Sequence, residues 1–288
     1  MKKNNGLVSM LCGLLLFSVC FVSCNKNAQN NDSNNKVYDR ILKSGEIKVA
    51  YISYPPGFIK DPNTGKFSGL MHDVFSEVAK NLDLKIVYQE EVTWATLVET
   101  VESEKADIII SPIWPTAQRG KYADFTIPIY LGSLKAYCRI DDNRFDGNVN
   151  RINSSDITIS TIDGEISTNV AVEDFPKAKI TGLPNTTDIS QMLLNVKDKK
   201  ADVAFVEPFV AGSFMLANPN IIKEVEGIRP LRIYPNEMMI KKGEYKLQSM
   251  INIAIQELLN SGYVDKVIAK YEPFKGAFYP TALPYRED

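Results

Sequence analysis

The stretch from Thr93 to Tyr130, TWATLVETVESEKADIIISPIWPTAQRGKYADFTIPIY, constrains the fold more than any other part of this 288-residue chain. Trp94, Leu97, Val98 and Val101 recur at i, i+3, i+4 and i+7, which predicts a helix with one buried face. Ala106 to Ile110 is a short run rich in β-branched residues, as expected of a parallel strand covered on both faces. Arg119 follows that strand by a few residues. In an open α/β sheet, ligands bind in the crevice beyond the carboxyl ends of the strands. An arginine placed there can grip a carboxylate through two parallel hydrogen bonds.

The same alternation of strand and helix continues on both sides. Ile47 to Ile52 reads as a strand, and Asp61-Pro62-Asn63-Thr64-Gly65 has the chemistry of a turn. A helix from about His72 to Asn81 puts Val74, Phe75 and Val78 on one face, and Leu84 to Tyr88 is a second strand. Leu131 to Ile140 reads as a strand leaving this first set. Ile157 to Thr161 opens a second set, with helices over about 167–173 and 188–197 and a buried strand at Asp202 to Val206. Arg232 to Lys241 reads as a return strand, followed by two helices broken at Ser261-Gly262. Glu104-Lys105-Ala106-Asp107-Ile108 and Lys199-Lys200-Ala201-Asp202-Val203 are a short echo of each other, consistent with two similar α/β lobes.

The first residues have another purpose. Met1-Lys2-Lys3 is a basic start and Gly6 to Val22 holds a short apolar run, the pattern of an export signal. It ends in Phe21-Val22-Ser23-Cys24, which resembles a lipobox, so Cys24 is the expected lipidated N-terminus. Asn25 to Lys36 is almost free of apolar residues and reads as a flexible tether. Of four cysteines only Cys138 would then remain in the folded body, as a small buried hydrophobe. The net charge of −2 and the lack of a basic face exclude a nucleic-acid footprint.

Four motifs in order carry a family resemblance: Trp94-Ala95-Thr96-Leu97, Lys105-Ala106-Asp107-Ile108-Ile109, Thr116-Ala117-Gln118-Arg119, and Ala123-Asp124-Phe125-Thr126-Ile127-Pro128-Ile129-Tyr130. Over about residues 41–271 the chain resembles the family 3 extracellular solute-binding proteins of ABC importers, which capture polar amino acids. The resemblance implies an α/β fold of two lobes, the periplasmic binding protein type II fold, each lobe a mostly parallel sheet flanked by helices and joined by a two-stranded hinge. The expected organisation is a signal peptide at 1–23, a lipidated start and tether at 24–37, lobe 1 at 38–133 plus 230–275, lobe 2 at 134–229, and a C-terminal tail at 276–288. Two crossings, near 131–136 and 226–232, would form the hinge on which such lobes close.

The resemblance also implies roles. A zwitterionic ligand needs a cation for its carboxylate and an anion for its ammonium, because unpaired buried charges cost several kcal/mol. Arg119 matches the family arginine for the carboxylate, with Thr116 in the same motif. Glu207, directly after a buried strand and before Pro208, matches the acid that receives the ammonium. Gly164-Glu165-Ile166-Ser167-Thr168 stands where the family opens a helix with small hydroxyl residues. Ser167 or Thr168 either donates to the ligand carboxylate or simply caps the helix. Tyr54, in Ser53-Tyr54-Pro55-Pro56, matches an aromatic residue that packs on the ligand. Trp114 replaces a usual serine or threonine and brings a flat face that stacks on a cation or ring, or fills the core.

One histidine, no Cys-x-x-Cys, no His-Glu-x-x-His and no phosphate-binding glycine loop point away from triad hydrolases, zinc sites and nucleotide enzymes. No cofactor is expected. The expected function is a monomeric, exported solute-binding lipoprotein, held to a membrane by acylated Cys24 and facing the periplasm. It would close on an amino acid or derivative and deliver it to an ABC permease. Two alternatives on the same fold are a cyclohexadienyl dehydratase acting on prephenate or arogenate, with Glu207 as general acid, and a ligand-sensing subunit.

Overall fold

A computed structural model of the protein describes residues 36–281. The expected signal, Cys24 and nearly all of the expected tether lie outside the described residues. In chain order the elements are α1 (Lys36–Ser44), β1 (Glu46–Tyr51), the hairpin β2 (Ile59–Lys60) and β3 (Phe67–Ser68), α2 (Leu70–Asn81), β4 (Lys85–Glu91), α3 (Leu97–Glu102), β5 (Ile108–Ile113), β6 (Ala123–Phe125) and β7 (Tyr130–Arg139). They continue with β8 (Thr158–Ile162), α4 (Ile166–Asp174), β9 (Lys179–Leu183), α5 (Gln191–Lys197), β10 (Val203–Val206), α6 (Pro208–Ala217), β11 (Ile222–Glu224), β12 (Arg232–Lys241), α7 (Tyr245–Asn260), α8 (Tyr263–Tyr271) and β13 (Tyr279–Pro280).

The main sheet runs in the order β4-β1-β5-β12-β7-β10-β8-β9. Its two outer parts are parallel: β1 lies between β4 and β5, and β8 lies between β9 and β10. Its centre is antiparallel. There the long strands β12 and β7 pair with each other from Arg232↔Leu134 to Asn236↔Tyr130. Beyond that stretch β12 turns to β5 and β6, while β7 turns to β10 and β11. Each long strand therefore extends one parallel unit and pairs with the other long strand at the centre, which gives two α/β lobes joined by a two-stranded crossing.

The short sequence echo has a structural meaning. Glu104 and Lys199 both adopt the left-handed conformation, with φ of 60° each, and end α3 and α5. Three residues later, Asp107 Oδ2 accepts the Lys48 N–H at 2.8 Å, and Asp202 Oδ2 accepts the Thr158 N–H at 2.9 Å. In each lobe one carboxylate thus ties the start of a core strand to its parallel neighbour. Asp107 is 2% exposed and is paired with Arg40; Asp202 is held by Arg139 and Arg144. Asp107→Ala would strand the Lys48 N–H and the Arg40 guanidinium together. We expect a loss of about 2–4 kcal/mol, read as a lower urea midpoint with an unchanged slope.

Several elements depart from the sequence reading. The helix read from Trp94 begins at Leu97, and residues 94–96 form a turn. Helix α1 begins at Lys36, inside the segment read as tether. Helix α6 was not expected: Pro208, Phe209, Val210, Ala211, Gly212 and Phe214 are all buried, so no polar face marks its period. Strand β9 at the lobe edge has no buried residue and carries a glycine, so little alternation marks it. Cys138 is a free, buried thiol whose pKa burial pushes up to about 12.

The segment read as a C-terminal tail adds a third link between the lobes. Strand β13 pairs with the hinge strand β7 at Leu131 and Tyr130. Phe278 packs edge-on against Tyr130 at 4.9 Å and lies 5.2 Å from Phe209 of α6. Phe274 covers Gly212 so closely that a Cβ there would collide with its ring.

Candidate ligand-binding site

The carboxyl ends of the parallel strands converge on one crevice. Tyr54 lies in the loop after β1, Trp94 after β4, and Trp114 and Arg119 after β5. From the other lobe, Glu165 follows β8 and Glu207 follows β10. Together with Pro112 and Ile166, these side chains line one small cavity. The closed walls leave about 20 Å³ to the centre of a water-sized sphere, room for about one water. An amino acid is larger than this space.

Glu207 occupies the N-cap position of α6, with Pro208 at the first helical position, yet its side chain makes no capping bond. It points across the interface instead, where Tyr54 Oη donates to Oε2 at 2.6 Å. The carboxyl group is 3% exposed, and Oε1 has no hydrogen-bond partner among the described residues. Burial pushes its pKa up to about 8, the charge of Glu165 adds to the rise, and the Tyr54 bond opposes it. Tyr54 is pushed well above the ordinary phenol value, first by burial and then by the Glu207 charge. Its ring meets Trp94 and Phe209 edge-on, at 5.6 and 5.5 Å.

Arg119 is half-buried at a one-turn 3-10 helix, Arg119–Lys121. Its Nη1 donates to the Trp114 carbonyl at 2.9 Å, and Nη2 reaches the Gly164 carbonyl of the other lobe at 3.4 Å. Gly164 has φ +79° and sits against the backbone of Trp94 and Ala95, so this contact needs a residue free to adopt the left-handed region. Thr116 does not face the cavity; its Oγ1 accepts the Arg119 N–H at 3.2 Å and so shapes the turn. Burial lowers the pKa of Arg119, but a guanidinium remains a cation.

Trp114 lines the cavity while serving the core. It stacks on Tyr234 at 4.5 Å and 22°, and its Nε1 donates to Asn236 Oδ1 at 2.9 Å. Neither Ser167 nor Thr168 turns its hydroxyl to the cavity. Ser167 Oγ contacts Met192 Sδ at 3.7 Å, and Thr168 Oγ1 donates to the Ile162 carbonyl at 2.7 Å. The group at the start of α4 is Glu165, which the sequence reading passed over. Its Oε2 accepts the Ser167 N–H at 2.6 Å. Burial raises its pKa, opposed by that bond and by Arg119. The available signal was an acidic residue shortly after a buried strand, three positions beyond β8, where Glu207 follows β10 directly. Trp94 was assigned to a helix face and instead forms part of the wall.

No helix among the described residues is long and apolar enough to cross a membrane. The chain is 26% identical over 264 residues to a probable histidine-binding protein of Campylobacter jejuni, spanning 90% of this chain and 96% of that one. It is 21% identical over 275 residues to the L-cystine-binding protein TcyA of Bacillus subtilis, spanning 94% and 97%. Among solved structures, the ancestral amino acid-binding protein AncCDT-1, a precursor of cyclohexadienyl dehydratase, superposes with a TM-score of 0.71 at 25% identity, covering 81% of this chain and 97% of that one. The profile of the bacterial extracellular solute-binding proteins, family 3, matches residues 46–274. With its two lobes, its crevice at the strand ends and this match over most of its length, the chain belongs to the bacterial extracellular solute-binding proteins, family 3.

Proposed function

We propose that the protein is the binding component of an ABC importer, which closes on an amino acid or a close derivative and hands it to a membrane permease. The observation that carries this reading is that Arg119 and Glu207, a cation and an ionisable acid from different lobes, line one cavity. The ligand ammonium takes the place of Tyr54 Oη at Glu207, and the ligand carboxylate lies toward Arg119. Tyr54, Trp94 and Trp114 wall off water, which strengthens both interactions. A ligand that spans Arg119 and Glu207 favours closure, because its two poles lie against different lobes. The protein acts as a monomer, and acylated Cys24 with its polar tether keeps it at the membrane surface where the permease lies.

A thermal-shift panel of the L-amino acids tests the reading. A ligand present at 1,000 times its Kd adds about 4 kcal/mol, a clear rise in midpoint. No shift with any amino acid overturns it. A hit makes a second, sharper prediction. With a pKa of about 8, Glu207 holds its proton in most empty closed molecules at pH 7. An ammonium placed on it favours the ionised form, so binding at pH 7 releases close to one proton. Calorimetric enthalpies in phosphate and in Tris should therefore differ, and affinity should rise with pH up to about 8 before levelling.

The raised pKa of Glu207 also suits a general acid, which favours a second reading as a dehydratase of prephenate. Prephenate is a dicarboxylate, and a cavity lined by two glutamates and one arginine suits it poorly. Formation of phenylpyruvate from prephenate separates the two readings.

A further inference from the structure

Once a bound ammonium has ionised Glu207, the charged groups of the cavity do not balance. Its lining holds two carboxylates, Glu165 and Glu207, and one guanidinium, Arg119. The two carboxylates are equivalent by topology: each sits at the N-cap of a helix that follows one of the neighbouring parallel strands β8 and β10. Their bonding differs. Glu165 caps its own helix through Ser167 N–H, whereas Glu207 leaves α6 uncapped and keeps Oε1 without a partner, almost fully buried. Arg119 donates only to neutral carbonyls and forms no ion pair within 4 Å among the described residues.

A helix N-terminus next to an arginine is a natural seat for a carboxylate. Here the protein's own Glu165 occupies that seat. A ligand carboxylate that takes it must dislodge Glu165, and the displaced, buried carboxylate then needs a cation of its own. A zwitterion brings no spare cation, because its single ammonium is committed to Glu207. An amino acid with a cationic side chain brings one.

We propose that Glu165 is a specificity-determining residue that makes the site select amino acids of net charge +1. The ligand carboxylate exchanges with Glu165 at the start of α4 beside Arg119, the α-ammonium meets Glu207, and the side-chain cation meets the displaced Glu165. Ligand and site then carry equal numbers of positive and negative groups. Trp94, half-buried on the opposite wall, offers an aromatic surface to the same cation. This inference rests on the amino-acid reading above and narrows it.

Pairs of similar shape and different charge test it. Titration calorimetry of the wild-type protein compares L-arginine with L-citrulline, and L-ornithine with L-glutamine. We expect the cationic member to bind at least tenfold more tightly in each pair for which binding is seen. Glu165→Gln keeps an amide oxygen for the Ser167 N–H and removes the charge; the preference should shrink at least tenfold in this variant. Citrulline and glutamine bound as tightly as arginine and ornithine by the wild type would overturn the charge selection and leave amino-acid capture intact. A preference left unchanged by Glu165→Gln would overturn the role of Glu165. Failure of every amino acid to bind would remove both this inference and the reading beneath it. The wild-type comparison stands by itself should the variant not fold.

Discussion

Glu207→Gln and Arg119→Ala should each weaken ligand binding by about 30- to 4,000-fold, the range for removing one partner of a buried, hydrogen-bonded charge pair. The two variants should diverge in the ligand-free protein. Glu207 has a folded pKa of about 8, above its ordinary 4.5. The folded, closed form therefore holds more protons than the unfolded chain between those values, and this group's contribution to stability is lost as pH rises through 8. Glu207→Gln removes that loss. Its melting midpoint should exceed the wild-type value at pH 9 and approach it at pH 5, while Arg119→Ala shows no such pH-dependent gain. Opening of the lobes gives Glu207 another route to solvent, so the gain is bounded by the cost of opening. Unchanged affinity in both variants, measured by calorimetry, would mean that neither residue holds the ligand.

Gly132→Ala should be nearly as severe, although position 132 bears no functional group. Gly132 lies in β7, where that hinge strand pairs with β12. A Cβ there would overlap Glu207 Oε1 and lie 2.8 Å from Asn236 Nδ2. Glu207 has no slack, because Tyr54 holds its other oxygen, and Asn236 is held by the Trp114 indole. Overpacking of this kind costs about 1–3 kcal/mol, which lowers the midpoint by roughly 3–10 °C in a domain of this size. The shifted carboxylate should also lose at least tenfold in ligand affinity. Gly120→Ala is the control: a Cβ at that position meets nothing within 4 Å, and little change is expected in stability.

Both predictions depend on contacts between residues far apart in the chain, and this is where reading from sequence stops. Arg119 and Glu207 were legible because each follows a buried β-branched strand, and the ends of parallel strands are where α/β folds bind ligands. The repeated Ala-Asp step was legible too, and its two aspartates do the same work in the two lobes. The role of the Ser167 and Thr168 hydroxyls stayed open between ligand and cap because a short motif does not state which way a side chain turns. In the fold, a methionine sulfur and a strand carbonyl claim them. Trp114 illustrates the same limit, since its stacking partner Tyr234 and hydrogen-bond partner Asn236 come from the returning hinge strand.

The sequence by itself determined the alternation of strands and helices and the two charged residues at strand ends, since hydrophobic periodicity and turn chemistry act between near neighbours. Only the tertiary structure decided that Glu165 caps α4 inside the same cavity, that Gly132 must lack a side chain, and that the last segment straps the lobes together. Those features arise where β7 and β12 bring two separately encoded units within contact distance. A buried carboxylate answers to whatever charge and volume it meets there, not to its neighbours along the chain.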